Sequence, residues 1–169
     1  DIYGKHVIPG FIAGYTRIGL TEISAVKQTN DHSETGEINP NVRANVAYNP
    51  DSDLIPVTRS NGVLVINSAP SSGRIPGQSS VMMMDGWTWE DATLKHPTAL
   101  NVNWPSMRFD FRKNAKKKEK EQREEYNKSL REMDLLVRNV RAYHHRKNAK
   151  ERKAEHKQKT DLRLESMIP

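Results

Sequence analysis

Tyr15 and Arg17 stand two residues apart at the end of the β-prone run Phe11-Ile12-Ala13-Gly14-Tyr15-Thr16. Side chains two apart on a strand point the same way, so this pair can meet one ligand. Arg17 is permanently cationic and suits an anionic substrate; it repels a metal ion, and Tyr15 is a poor ligand at neutral pH. A second place for chemistry is residues 70–78, Pro-Ser-Ser-Gly-Arg-Ile-Pro-Gly-Gln, whose glycines could expose N–H groups to an anion. It offers Arg74 and Gln78 as substrate-binding residues. It lacks a Walker-type Gly-Lys-Ser/Thr, so a structural loop is the favoured reading. The six histidines, at 6, 32, 96, 144, 145 and 156, form no metal-ligand spacing. Cys is absent, which excludes disulfides and thiolate metal sites.

The elements that would position these groups change character along the chain. Val63-Leu64-Val65-Ile66 is an apolar run directly after Gly62 and predicts a strand buried on both faces of a parallel sheet. Before it, residues 50–62 predict a short helix with Asp51 or Ser52 as N-cap, Asn61-Gly62 as its close, and Pro56 in its first turn. Residues 79–84 predict a second strand ended by Asp85-Gly86, with its methionines filling core. Trp87 and Trp89 share a face and read as packing anchors or as pocket lining. Residues 21–41 read as loop, with room for a helical turn at 22–28. From about Asn114 the pattern becomes helical: Tyr126, Leu130, Met133, Val137 and Val140 make one apolar stripe that fades at His144. The chain closes on Asp161-Leu162-Arg163-Leu164-Glu165-Ser166-Met167-Ile168-Pro169, a fresh apolar pattern.

Charge divides the chain in the same place. The 169 residues carry a net charge of +6, with 35% hydrophobic and 28% charged residues. Residues 112–159 alone hold 18 Lys or Arg against 8 Asp or Glu. Two regions are therefore expected, 1–111 and 112–169. The basic segment could bind nucleic acid through counterion release. Acidic residues interleave it at helical spacing, however, and no aromatic or zinc-finger motif accompanies it; a solvated helix face is preferred. No apolar run is long enough for a membrane span. The opening Asp-Ile-Tyr-Gly lacks an initiator Met, which suggests a processed chain or an excised piece.

Several blocks resemble the imidazolonepropionase-like branch of the metal-dependent amidohydrolases. Pro9-Gly10-Phe11-Ile12 matches the family's Pro-Gly-Leu/Phe-Ile-Asp-x-His-x-His opening, with Ala13 at the Asp, Tyr15 at the first His and Arg17 at the second. Further likeness lies in Asn39-Pro40-Asn41-Val42-Arg43-Ala44, Arg59-Ser60-Asn61-Gly62-Val63, residues 71–81, Asp85-Gly86-Trp87-Thr88-Trp89-Glu90-Asp91 and the closing Asp161–Pro169 block. The resemblance implies an α/β fold, part of a (β/α)8 barrel with one long charged amphipathic helix. It implies a parent enzyme that hydrolyses a C–N bond in a small cyclic amide, using one or two divalent metals such as zinc. The first-strand metal site cannot form with Tyr15 and Arg17 in the histidine places. No cofactor is therefore expected in this chain, and the isolated chain is expected to be inactive. Its partners would be a small-molecule substrate for the parent, plus the remainder of the barrel or a second copy. Relatives suggest a bacterial periplasm or cell envelope. The alternative is a non-catalytic binding or assembly module.

Overall fold

The structure is a computed structural model that describes residues 2–112, 117–151 and 160–168. The chain divides into two compact units, Asp1–Asn103 and Trp104–Pro169. The boundary drawn from charge, at 111/112, falls inside the second, because charge composition and contact density change at different residues.

The first unit is a four-stranded mixed sheet in the order β1-β2-β3-β4. The strands are β1 (Phe11–Thr16), β2 (Val63–Ser68), β3 (Gly77–Met83) and β4 (Thr93–Asn101). β1 and β2 run parallel, and the helix α1 (Leu54–Ser60) lies between them in the chain. β2–β3 and β3–β4 are antiparallel.

Local chemistry explains α1. The Ser52 hydroxyl accepts the Leu54 N–H at 3.3 Å, while Asp53 at the cap position makes no side-chain bond. Pro56 sits in the first turn, where a helix has no internal use for its N–H. The helix stops at Asn61, and Gly62 takes φ +89°, a left-handed conformation that glycine adopts without strain. α1 turns Ile55 into a core with Tyr48, Ile66, Met82, Met84 and Ala92, against which Ala13, Ile18, Val63 and Trp89 pack. The alternate methionines Met82 and Met84 fill core as their spacing predicts.

Two expectations are corrected here. β2 is not buried on both faces: Ile66 is fully covered, but Leu64 is 49% exposed. One helix-bearing crossover covers one face, and β3 returns antiparallel rather than through a second crossover. Trp87 is fully in solvent and Trp89 half-buried, so the two do not share an environment. Residues 93–101 form β4 although Pro97 interrupts the pattern. As the last strand of the sheet, β4 can lose an N–H on its open side.

The long connection 17–53 is pinned rather than loose. It carries short 3-10 turns at Lys27–Thr29 and Asn45–Ala47, and parallel bridges join Ile38 to Ile75 and Arg43 to Gln78.

A short α2 (Trp89–Ala92) precedes β4 in the first unit, and the second unit contains α3 (Glu119–Glu151) and the short α4 (Leu162–Glu165). Four i,i+4 ion pairs line α3: Glu119–Arg123, Lys120–Glu124, Lys128–Glu132 and Asp134–Arg138. The shielded stripe runs Tyr126, Leu130, Met133, Leu136, Val140 and Tyr143. Val137 is 39% exposed, so the stripe steps by three from Met133 and extends to Tyr143. The Asp161 carboxylate caps α4 by accepting the Arg163 and Leu164 N–H groups. The Tyr143 hydroxyl donates to Glu165, which also takes Lys147. That partnership holds the Glu165 carboxyl below its ordinary range, chiefly through the Lys147 bond. Asn114 and His156 lie outside the described residues.

Candidate functional site

Parallel strands leave their carboxyl ends at one edge of the sheet, where connecting loops gather polar groups. Here that edge follows Thr16 of β1 and Ser68 of β2, which pair with each other. The Ala69 N–H donates to the Thr16 carbonyl at 3.0 Å, carrying the parallel pairing beyond β2. The Ser68 hydroxyl is fully buried and donates to the Ile18 carbonyl at 3.2 Å. Thr16 and Ser68 therefore turn to the core side. Tyr15, beside Thr16, and Asn67, beside Ser68, fall on the opposite face by strand alternation; Arg17 follows directly after the end of β1. Both Tyr15 and Arg17 are exposed.

Beyond β1 the chain folds back on itself. The Leu20 N–H closes a turn on the Arg17 carbonyl, the Asp31 N–H donates to Leu20, and Thr21 bridges Asn30. The turn brings the Thr21 hydroxyl to 2.8 Å from His32 Nδ1. The His32 carbonyl accepts the Ser71 N–H at 2.9 Å, which ties this turn to the loop after β2. Burial, reinforced by the Arg17 charge and opposed by Asp31, lowers the His32 pKa below 6.5. The imidazole is neutral at neutral pH. Asn67 Nδ2 donates to the Gly14 carbonyl at 3.1 Å, and its Oδ1 is buried without a partner. The result is an edge with one guanidinium, one neutral imidazole, a phenol and an amide, suited to binding a polar or anionic small molecule.

The other sequence-derived residues sit differently. The Arg74 N–H donates to the Glu37 carbonyl, and its guanidinium reaches the Asn103 carbonyl at 3.4 Å. Gln78 is the second residue of β3, its backbone held between Val42 and Ala44. His32 and Asn67 were not legible as site residues, because the partners that place them lie far off in sequence. The polar Asn67 closing an apolar run was the one available hint.

Two further features lie elsewhere. Ser80, fully buried, holds His96 Nδ1 at 2.8 Å and accepts the Asn45 N–H at 3.2 Å. Burial and then Arg43 lower the His96 pKa. With its hydroxyl sealed from solvent, this pair anchors β3 to β4. A cleft of about 240 Å³ lies beside α1, lined among others by Tyr48, Ser52, Arg59 and Asp85. Its Arg59–Asp85 ion pair, at 2.8 Å, is partly exposed. It flanks the helix-covered side of the sheet rather than the Arg17 edge. Among the described residues no three His, Cys, Asp or Glu side chains come together as a metal site. Among the described residues no helix is long and apolar enough to cross a membrane.

No protein-family model matches the chain, and no curated protein matches it. A solved structure described as an amidohydrolase from Thermotoga maritima MSB8 superposes with a TM-score of 0.77 at 22% identity. The alignment covers 94% of this chain and 41% of that one. The chain thus spans less than half of its structural neighbour, and the likeness is one of fold.

Proposed function

We propose that this chain is part of an amidohydrolase that cleaves a C–N bond in a small cyclic amide or a related molecule. The observation that carries this reading is the likeness in fold to the Thermotoga amidohydrolase over 94% of the chain. The parallel β1-α1-β2 unit supports it, being the repeating piece of a (β/α)8 barrel, whose substrate face is the carboxyl edge of its strands. In this reading Tyr15 and Arg17 contact the substrate, with Arg74 on the neighbouring loop and Gln78 in β3. The motif resemblance extends the proposal to the imidazolonepropionase-like branch and to a bacterial periplasmic or envelope setting.

The residues present do not fit a divalent metal: a fixed cation, Arg17, occupies the second place of the first-strand pair, and no acidic or imidazole cluster faces it. This chain accordingly contributes substrate contacts. The group that activates water, a metal such as zinc or a carboxylate base, belongs to the barrel portion outside it. The chain alone is inactive in this reading. Assaying cyclic amides with the chain alone, and with the chain expressed in its full reading frame, tests it. Turnover is expected only from the latter. Turnover by the chain alone, or no C–N hydrolysis by the full protein across a panel of cyclic amides, would overturn it.

A specific observation favours a second reading, an assembly module. β1 is an edge strand with Phe11, Ile12 and Tyr15 exposed, and an unpaired apolar edge invites another strand. The occupant is the remaining barrel or a second copy. Light scattering across a concentration series distinguishes the two, since only self-pairing makes the chain alone dimerise.

A further inference from the structure

We propose that the cleft beside α1 binds a small organic cation, an ammonium group carried on an apolar ring or chain. The proposal stands on the cleft itself and does not rest on the reading of the chain as part of an amidohydrolase.

The cleft holds about 240 Å³ and has two unlike sides. Its inner wall belongs to the core: Tyr48, Ile55 and Ala92 line it, and all three are buried in one apolar cluster. The Tyr48 hydroxyl reaches the Met83 carbonyl at 3.4 Å, which occupies its polar end and leaves the ring as wall. A wall built from packed core side chains is in place before a ligand arrives, so little ordering remains to occur on binding.

The mouth is polar and unevenly charged. Asp51, Asp53, Asp85 and Arg59 line it. Arg59 is already engaged, by Asp85 at 2.8 Å and by the Met84 carbonyl at 3.2 Å. The carboxylates of Asp51 and Asp53 meet no cation and no hydrogen-bond donor among the described residues. Local structure explains why. Asp53 holds the cap position of α1, yet Ser52 accepts the Leu54 N–H at 3.3 Å. Ser52 is buried and donates in turn to Glu22 at 2.7 Å, which fixes it in that role. Asp53 is thereby released from capping and faces the cleft with its charge unmatched.

The ligand class follows from this division. Two unneutralised carboxylates beside an apolar wall attract a cation with an apolar body and repel an anion. A bare metal ion is a poorer fit, since it needs several converging oxygen or nitrogen ligands. Among the described residues no three acidic or imidazole groups converge.

Titration of the 15N-labelled chain with benzylamine, benzyl alcohol and benzoate tests the site. At neutral pH the three probes share a ring and differ in charge. Benzylamine is expected to shift the amides of Ser52, Ile55, Arg59 and Gly86 saturably, and less strongly as salt is raised. Benzyl alcohol should bind about fivefold to tenfold more weakly, and benzoate more weakly still. Asp51→Asn and Asp53→Asn combined should weaken benzylamine about fivefold and leave benzyl alcohol within about twofold. Asp31→Asn removes the same charge elsewhere in the first unit and should leave benzylamine binding unchanged. The proposal is overturned if no saturable shifts occur at the cleft, or if benzoate or benzyl alcohol binds as tightly as benzylamine. Undiminished benzylamine binding in the double variant would overturn it too. The comparison of probes uses the unaltered chain, so it decides the matter even where the double variant loses its native spectral dispersion.

Discussion

Four positions show how far a single residue governs this molecule. Gly19 has φ +79°, and a Cβ there would lie 2.3 Å from the ring of Tyr48. Neither the backbone nor the buried ring can yield easily. Gly19→Ala is expected to cost roughly 2–4 kcal/mol in urea unfolding; a loss below about 0.5 kcal/mol would show that the Tyr48 ring is free to move. Tyr48 itself is buried, and burial, then Glu22, pushes its hydroxyl up to about 12 from 10.0. The neutral phenol is the stable form in the fold. Its contribution is present below pH 10 and is lost as pH rises from 10 towards 12. Tyr48→Phe should flatten that alkaline decline. His32 and His96 behave oppositely, both lowered from 6.5 mainly by burial. The unfolded chain takes up their protons first. Stability is complete above pH 6.5 and falls as pH drops below it, until the folded imidazoles also protonate. Urea midpoints measured between pH 7.5 and 5 should decline, and less steeply in His96→Gln, which cannot titrate. Equal declines in both proteins would assign the acid sensitivity to other groups.

At the scale of elements, periodicity located α3 but misassigned one step of its face. A spacing of four from Met133 points to Val137, whereas the shielded residue is Leu136 and the stripe continues to the buried Tyr143. A helix of 3.6 residues per turn drifts against any fixed repeat, so Leu135, Leu136 and Val137 compete and the packing chooses. Met133→Ala should cost about 2 kcal/mol or more, while Val137→Ala should stay within about 0.5 kcal/mol. A reversal of that order in thermal unfolding would restore the simple repeat. The ion pairs on α3 bear on the nucleic-acid alternative. Between Glu119 and Lys147 the cations are largely interleaved with carboxylates, and the basic excess of residues 112–159 concentrates in the flanks. A helix so neutralised offers phosphate no continuous cationic stripe.

At the largest scale, the dominant feature of the first unit is a sheet with an open edge at β1. β1 is parallel to β2 on one side and unpaired on the other, and Ile12 is 71% exposed on it. If that edge drives self-association, the chain should dimerise as concentration rises, and Ile12→Lys should return it to monomer without lowering its unfolding midpoint. A wild-type monomer at every concentration would sink that expectation. Sequence alone determined what depends on neighbours within one or two turns. The strand Phe11–Thr16, a strand at Val63–Ile66 that the structure extends to Ser68, the short α1 closing at Asn61-Gly62, the long helix, and the methionine core were all legible there, whereas the helix start, read at Asp51 or Ser52, falls at Asp53. So was the presence of Tyr15 and Arg17 at a strand end, where alternation and side-chain charge suffice. The tertiary structure alone decided that β3 returns antiparallel, that Pro97 sits in an edge strand, and that His32 comes to Thr21. Each of these depends on hydrogen bonds between residues eleven or more apart, such as Thr21–His32 and Ser71–His32. Local propensity carries no trace of such partners, because their energy exists only once the chain has closed the loop between them.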